Sequence, residues 1–186
     1  MPGPDEVRFR PAELSDVKAI AALHADSWQR HYRIAYSDHF LDDEAEQYLL
    51  DVWAGRFAGS PDPVRRTVLA EQDGRLVGLA HAVLDDHPTW GALVDNLHVV
   101  HDRKRQGLGT QLLSRTAQTV LAERPDSGLY LWVLEKNVNA RGFYDARGGS
   151  CVESRNVLPP GGDPARLVSG QPKRLRYFWP DPAVLV

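Results

Sequence analysis

The chain has 186 residues, 42% of them hydrophobic and 25% charged. This length is enough for one buried core, so we expect a single domain over residues 1–186. Its formal net charge of −3 argues against a nucleic-acid partner, and its single cysteine, Cys151, excludes an internal disulfide and a thiolate metal cluster. No apolar run approaches the roughly 20 residues that span a bilayer, and residues 1–6 lack the basic and apolar stretches of a secretory signal, so we expect a cytoplasmic protein with no membrane partner.

The N-terminal third is predicted to fold as one short strand and two helices. Residues 7–12 alternate in polarity and run into a proline, which indicates a strand. Ser15 or Asp16 can cap the helix that follows. A second helix is predicted to begin near residues 37–38 and to end before residues 59–63, where Gly and Pro occur. The first helix carries a stripe of mostly apolar residues at helical spacing: Val17, Ile20, Ala21, Leu23, His24 and Trp28.

Three strands are predicted in the middle of the chain. Residues 67–71 and 76–84 are apolar runs on either side of an Asp-Gly pair at 73–74, which is a strong signal of a β-hairpin. Residues 85–88 are predicted to form a loop. Residues 92–100 alternate in polarity again and predict the third of these strands.

The C-terminal third is predicted to contain three strands and a short helix. Residues 129–134 form a nearly continuous apolar run that predicts a buried central strand. A helix over residues 137–147 should end at two glycines, which suit a left-handed helix end. Strands over residues 151–157 and 173–179 flank an irregular segment, residues 159–172. The order β-α-α-β-β-β-α-β-α-β-β predicts a three-layer α/β domain.

A basic turn that contains two glycines, Lys-Arg-Gln-Gly-Leu-Gly-Thr at residues 104–110, connects strand 92–100 to an amphipathic run that ends near residue 121. Glycines let successive backbone N–H groups converge on one concavity, and a helix that begins there adds its positive end. The turn therefore predicts a phosphate-binding site, although a glycine turn without a ligand stays open. A dinucleotide fingerprint would need Gly or Ala in place of Leu112, and no P-loop string occurs in the chain.

This turn resembles the acyl-CoA pyrophosphate loop of the GCN5-related N-acetyltransferases, the GNAT family. Gly107 and Gly109 are in register with the family pattern, and Lys104 stands where the family usually has Arg or Gln, keeping the charge without a fork-shaped contact. A second stretch, residues 131–144, is similar to a family block in which a strand ends at Asn and a helix carries Ala and Phe-Tyr. The two blocks occur in the family's order and spacing, and the resemblance covers about residues 7–180.

The resemblance implies a three-layer α/β GNAT-like acyl-CoA N-acyltransferase fold, with a mixed central sheet whose strands 92–100 and 129–134 splay apart. It implies direct transfer of the acetyl group of acetyl-CoA to an amine of a small molecule or peptide, without a metal. The backbone near Leu97 would pair with the pantetheine amides and polarise the thioester carbonyl. The implied cofactor-binding residues are Leu97, His98, Val99, Lys104, Arg105, Gln106, Gly107, Leu108, Gly109, Thr110, Asn137, Asn139, Ala140 and Tyr144.

Tyr144 is the predicted catalytic acid, because a tyrosine hydroxyl can give a proton or a hydrogen bond to the departing thiolate. The predicted base is Asp95, on the reasoning that it shares a strand face with Leu97 two residues away. His98 would then point to the opposite face and is interpreted as a packed residue, while His81 is a third option. Family members often deprotonate the amine through ordered water, so the base stays open.

The acceptor pocket of the family usually lies between the first two helices and the loop before the last strand. Here Trp28, His31, Tyr32 and Arg33 are the candidates to grip a planar or anionic acceptor. The alternative is that Trp28 belongs to the core and Arg33 to the solvated surface. The carboxylates between residues 38 and 46 would suit a cationic amine, or simply form a solvated helix face.

Two functions besides acetyl transfer stay open from the sequence. One is a regulatory or sensor protein that binds acyl-CoA without turnover. The presence of Tyr144, the predicted catalytic acid, argues against this function. The other is a nucleotide-binding domain of a different fold. The C-terminal tail, residues 182–186, packs either on its own domain or on a second copy of the chain in a homodimer.

Overall fold

The computed structural model describes residues 6–186, and within this range the strands and helices follow the predicted order. Residues 1–5 lie outside the described residues. They belong to the predicted domain and to the stretch in which a secretory signal was sought. The strands are β1 (Arg8–Pro11), β2 (Arg65–Gln72), β3 (Arg75–His87), β4 (Gly91–Val99), β5 (Leu129–Leu134), β6 (Ser150–Asn156) and β7 (Lys173–Trp179). The helices are α1 (Val17–His31), α2 (Ala45–Phe57), α3 (Leu108–Glu123) and α4 (Val138–Asp145). A π-helical turn, Phe40–Glu44, precedes α2.

These strands form one mixed sheet in the order β1-β2-β3-β4-β5-β7-β6. Neighbouring strands are antiparallel except β4 and β5, which are parallel. The two parallel strands pair only through residues 92–94 and 129–131, and beyond that point they separate. The predicted splay of the central strands is therefore confirmed, and a gap opens between the C-terminal halves of β4 and β5.

A β-bulge in β4 changes the direction of the side chains beside this gap. The register between β3 and β4 shifts at one position and leaves Asp95 without a partner. A bulge of this kind puts two neighbouring side chains on one face of the sheet. Asp95 and Asn96 both contact Arg56 of α2, while Leu97 packs on the opposite face, against α3. The prediction that Asp95 and Leu97 share a face is wrong, because strict alternation fails at a bulge.

Helices α1 and α2 cover one face of the sheet, and α3 and α4 cover the other. On the second face, α3 comes very close to β3 at Gly78. A Cβ atom there would lie 2.9 Å from Leu112 Cδ1 and 3.1 Å from His98 O, so a larger residue would require its neighbours to shift. The core of this face includes Leu113, Leu131 and Trp179.

The structure corrects one local prediction and decides between alternatives in two others. Residues 85–87 continue β3 instead of forming a loop, because His87 still pairs with Gly91 of β4. A short 3₁₀ turn precedes α1, and Asp16, one of the two predicted capping residues, stands at the N-cap of α1 and accepts a hydrogen bond from Glu13 N–H at 2.7 Å. The C-terminal tail packs on α3 of its own chain. Among the described helices, none is long and apolar enough to cross a membrane.

Candidate active site

The edge of β4 that faces the gap offers free backbone groups. Val100 N–H donates a hydrogen bond to Val77 O, on the β3 side, at 3.0 Å. Because the N–H groups of a strand point alternately to its two neighbours, those of Leu97 and Val99 point away from β3 and into the gap, where β5 has separated. A ligand with amide groups can therefore add to β4 as a further strand would.

The turn after β4 leaves a row of backbone N–H groups without partners in the described part of the chain. No N–H of residues 105–110 donates a hydrogen bond to another residue in the range 6–186, and the first helical bond of α3 runs from Gln111 N–H to Gly107 O at 3.0 Å. Arg105 and Gly107 have positive φ angles of 64° and 82°. Backbone of this kind turns successive N–H groups to one side, so the turn has the form of an anion-binding site at a helix N-terminus.

Cationic side chains surround this turn. Lys104 and Arg105 form no ion pair with a carboxylate in the described part of the chain. Lys104 Nζ donates to His31 Nε2 at 2.5 Å, and burial lowers the pKa of both groups. Sequence reasoning assigned His31 to the acceptor pocket, but the structure places it at this turn, because the C-terminal end of α1 reaches the chain that follows β4.

Arg147 is a feature of this region that sequence reasoning missed. Its Nε donates to Thr110 Oγ1 at 3.1 Å, and its guanidinium lies 3.7 Å from the centre of the Phe143 ring. That ring is packed so closely on α3 that a Cβ atom at Gly109 would lie 3.4 Å from it. The spacing of four residues between Phe143 and Arg147 is visible in the sequence, whereas the contact with Thr110 depends on the packing of α4 against α3.

The second family block forms the start of α4. Asn137 Oδ1 accepts a hydrogen bond from Ala140 N–H at 3.2 Å and so caps the helix. Asn139 is exposed, and Ala140 is half-buried against the core. The structure thus gives Asn137 a role in the helix cap, and the contact of these three residues with pantetheine stays a prediction.

Tyr144 of α4 is buried, with its ring 5.7 Å from that of Tyr177 and 6.0 Å from that of Trp179. Its hydroxyl donates to no other described residue. Burial raises the pKa of Tyr144, and the nearby Tyr32 raises it further. A hydroxyl whose pKa lies above the ordinary tyrosine value holds its proton at neutral pH.

A cleft of about 230 Å³ opens beside the gap on the α1–α2 face of the sheet. Five of its lining residues are Trp or Tyr, and two of these, Trp28 and Tyr32, are predicted acceptor residues. Trp28 packs edge-on against Tyr36, with ring centroids 4.9 Å apart. The lining residues that bear on recognition are Trp28, Tyr32, Tyr36, Asp95, Trp132 and Arg174.

Asp95 lines the same cleft and is held by an arginine. Arg56 Nη2 donates to Asp95 Oδ2 at 2.5 Å, and Arg56 Nη1 donates to Asn96 Oδ1 at 2.7 Å. About one third of the Asp95 side chain (34%) stays exposed, so the carboxylate can also contact water or a ligand.

Three histidines near the cleft are buried and neutral. Burial lowers the pKa of His81 and of His98 to about 3, and that of His24 well below its usual value. Such weak bases take little part in deprotonating an amine whose own pKa is about 10.4. The interpretation of His98 as a packed residue is confirmed, since its Nδ1 lies 2.9 Å from Ser27 Oγ and its ring 4.4 Å from that of His24.

Arg33 and the acidic stretch after it lie outside the cleft. Arg33 pairs with Asp42 at 2.5 Å and with Asp38 at 2.6 Å on the exposed surface, and Glu44 pairs with Arg166 at 2.7 Å. The structure therefore does not bring Arg33 to the acceptor site, because the chain turns outward after α1. The carboxylates form an ion-paired surface instead of a wall for a cationic amine.

A larger groove, of about 830 Å³, lies at the edge of the sheet beside β1 and β2. Its arginines are largely neutralised, as in the pairs Arg10–Asp16 at 2.7 Å and Arg66–Glu123 at 2.5 Å. None of its lining residues belongs to β4 or β5. The smaller cleft, which meets the gap and carries Asp95, is therefore the candidate active site.

Comparison with known proteins agrees with this geometry. The sequence model of the acetyltransferase (GNAT) family matches residues 18–148, which include both blocks of the resemblance. The chain belongs to the GNAT acetyltransferase family. The predicted family, fold class and enzyme class, an acetyl-CoA-dependent N-acetyltransferase, are thereby confirmed.

Individual relatives agree with this assignment. A probable N-acetyltransferase of Mycobacterium tuberculosis is 29% identical over 149 residues, which are 77% of this chain and 80% of that protein. A protein of Bacillus subtilis named as an uncharacterized N-acetyltransferase is 27% identical over 183 residues, 96% of each chain. The crystal structure of the PaiA N-acetyltransferase of Thermoplasma acidophilum in complex with coenzyme A has a TM-score of 0.68 at 15% identity, over 94% of this chain and 99% of that one, and so shares the fold.

Proposed function

We propose that the protein transfers the acetyl group of acetyl-CoA directly to the amine of a small molecule that binds in the cleft beside the β4–β5 gap. The observation that carries this proposal is the meeting of two surfaces at one gap. The free edge of β4 lines the gap, and the cleft with Asp95 opens onto it from the α1–α2 face.

The residues around the gap fit acetyl-CoA. The row of N–H groups at residues 105–110 suits the diphosphate, and Lys104 and Arg147 add positive charge that no carboxylate among residues 6–186 neutralises. The N–H and C=O groups of Leu97 and Val99 suit the amides of the pantetheine arm. In this arrangement the thioester carbonyl would accept a hydrogen bond from Leu97 N–H, which stabilises the negative oxygen that forms during attack.

The reaction then needs four balanced changes. The amine nitrogen forms a bond to the thioester carbon, and the carbon–sulfur bond breaks as the intermediate collapses. A charged amine nitrogen loses two protons to water, one before and one after attack, and the sulfur gains one from Tyr144, which regains its proton from solvent, so one proton is released overall. The products are an amide and the free thiol of CoA. Because burial raises the pKa of Tyr144, its hydroxyl stays protonated at neutral pH and can hydrogen-bond to the sulfur until the proton is passed on.

Asp95 is the residue that we propose for deprotonation, acting through ordered water. An amine with a pKa of about 10.4 is mostly charged at neutral pH and must lose a proton before it can attack. Asp95 lines the cleft and keeps part of its carboxylate exposed while Arg56 holds it in place. His81 and His98 are buried and do not line the cleft, so they are less well placed for this step.

A binding measurement combined with an activity screen tests the proposal. We expect calorimetric titration to give micromolar affinity for acetyl-CoA and desulfo-CoA and none for ATP or NAD. We expect mass spectrometry of a panel of amines to find an acetylated product equimolar with released thiol. Binding of CoA with no turnover of any amine would favour the sensor function, and no binding of CoA would contradict the donor site. A peptide acceptor, a homodimer and a cytoplasmic location stay predictions.

A further inference from the structure

We propose that the acceptor is a small amine that also carries an anionic group, a carboxylate or a phosphate, and that Arg174 binds this group. The inference rests on the proposed function, because it concerns the second substrate of the same site. It assigns a specificity-determining role to an arginine that neither sequence block contains.

Arg174 lies on β7 and lines the cleft. Its guanidinium stacks on the ring of Trp132, 4.4 Å from the ring centre. No carboxylate pairs with it within residues 6–186, and its Nε is buried without a hydrogen-bond acceptor. Burial accordingly lowers the pKa of Arg174. A half-buried cation without a counter-ion is costly, and an anion supplied by a ligand would offset that cost.

Arg176, two residues further along β7, provides the internal comparison. It stacks on the same Trp132 ring at 4.4 Å but is almost fully buried, and it pairs with Glu153 at 2.8 Å. The fold thus supplies a carboxylate to the arginine in the interior and none to the arginine in the cleft. A purely structural role for Arg174 would call for the same compensation that Arg176 receives.

The other charges of the cleft point the same way. Its charged lining residues are Arg56, Asp95 and Arg174, so two cations face one anion and the site is positive by one unit. This balance disfavours an acceptor that carries only positive charge. Tyr32 and Tyr36 add hydroxyl groups that form no hydrogen bond with another described residue. The planar fork of an arginine beside hydroxyl donors is the arrangement that binds carboxylate or phosphate oxygens well.

Distances within the sheet limit the size of the acceptor. Arg174 is paired with Leu134, three residues beyond Leu131, the last residue of β5 that pairs with β4. At about 3.3 Å per residue, the arginine lies about 10 Å along β5 from the start of the gap. A cleft of about 230 Å³ is also smaller than typical pockets for drug-sized ligands. Both values suit a molecule of amino-acid to dipeptide size, with its amine at the gap and its anion at Arg174.

Matched pairs of amines test this inference. Phenylalanine and phenylalaninamide share an amine and differ in the carboxylate, and phosphoethanolamine and ethanolamine differ in the phosphate. We expect kcat/KM to be about 10- to 100-fold higher for the anionic member of at least one pair, as for a hydrogen bond to a charged group. The pair that shows the preference identifies the anion. Equal rates within both pairs, or a preference for the purely cationic polyamine spermidine, would overturn the proposal.

Variants assign the preference to one residue. Arg174→Gln should bring the ratio within each pair close to one, mainly through KM of the amine, without changing KM of acetyl-CoA. Arg155→Gln removes a positive charge from the facing position on β6 and should leave the ratio unchanged. A ratio that survives Arg174→Gln would contradict the assignment.

Binding is measured in parallel by calorimetry, with desulfo-CoA present. No turnover of any amine would count against the proposed function, and binding would then decide the present inference alone. Tighter binding of the anionic member that disappears in Arg174→Gln would support it, and equal binding within both pairs would overturn it.

Discussion

The two halves of the proposed active site are built by different means. The donor half consists mainly of backbone groups from one continuous stretch, the end of β4 and the turn into α3. The acceptor half consists of side chains from α1, α2, β4, β5 and β7, which lie far apart in the chain. Backbone groups can be presented by many sequences that share a few glycines, whereas a wall of side chains changes with each substitution. The donor half therefore defines the family, and the acceptor half defines the substrate.

The largest effect is expected from blocking the donor half. Gly107→Trp should abolish detectable binding of acetyl-CoA, because the side chain would fill the concavity of the phosphate turn. Calorimetric titration with acetyl-CoA measures this binding. Gly107 also has a φ of 82°, so strain is a second effect. Gly59→Trp is the matched control, since Gly59 has a φ of 81° and open space around it. Normal affinity in Gly107→Trp would remove the turn from the donor site.

The next largest effect is expected where the halves meet. Tyr144→Phe should lower kcat by about 100-fold, the scale of general acid catalysis, and leave KM for acetyl-CoA within a few-fold. Tyr177→Phe removes a hydroxyl from the neighbouring ring of the same cluster and should keep its activity. Because burial raises the pKa of Tyr144, the wild-type rate should not fall as pH rises through the ordinary tyrosine value of about 10. A falling limb there, or an active Tyr144→Phe, would move the acid elsewhere.

A smaller and pH-dependent effect is expected in the acceptor half. Asp95→Asn should lower kcat/KM for the amine by about 10-fold at pH 7, the scale of a base that acts through water. The deficit should shrink toward pH 10, because more of the amine is then already deprotonated. Rate profiles of both proteins from pH 6 to 10 measure this. Asp85→Asn, which alters a carboxylate paired with Arg124 outside the cleft, serves as the control. A deficit that is constant with pH would mean that Asp95 positions Arg56 and does not assist deprotonation.

The smallest effect is expected at the side-chain part of the donor half. Arg147→Gln should weaken acetyl-CoA binding by only about five-fold, near 1 kcal/mol, because a partly exposed charge is screened by solvent. The salt dependence of the affinity should also become shallower. Arg115→Gln is the comparison, since Arg115 stacks on Phe9 as Arg147 stacks on Phe143 but lies away from the turn. Equal losses in the two variants would show a loss of packing instead of a contact with phosphate.

The sequence was sufficient for features that depend on neighbouring residues. Periodicity identified the strands and helices in order, because a strand or helix shows its buried face at a fixed spacing. The Asp-Gly pair at residues 73–74 has the two positive φ angles of a tight hairpin turn. Gly107 and the basic residues before it likewise indicated the phosphate turn, because the shape of a short turn depends on its own residues.

Only the tertiary structure decided which side chains meet in the cleft. Helix α1 ends at His31, so Tyr32 faces the cleft while His31 and Arg33 point elsewhere. A single bulge moved Asp95 to the face opposite Leu97. Arg174 reaches the cleft because β7 inserts between β5 and β6 in the sheet. Contacts of this kind depend on strand order and register, which are set by the burial of the whole core, so a local pattern does not contain them.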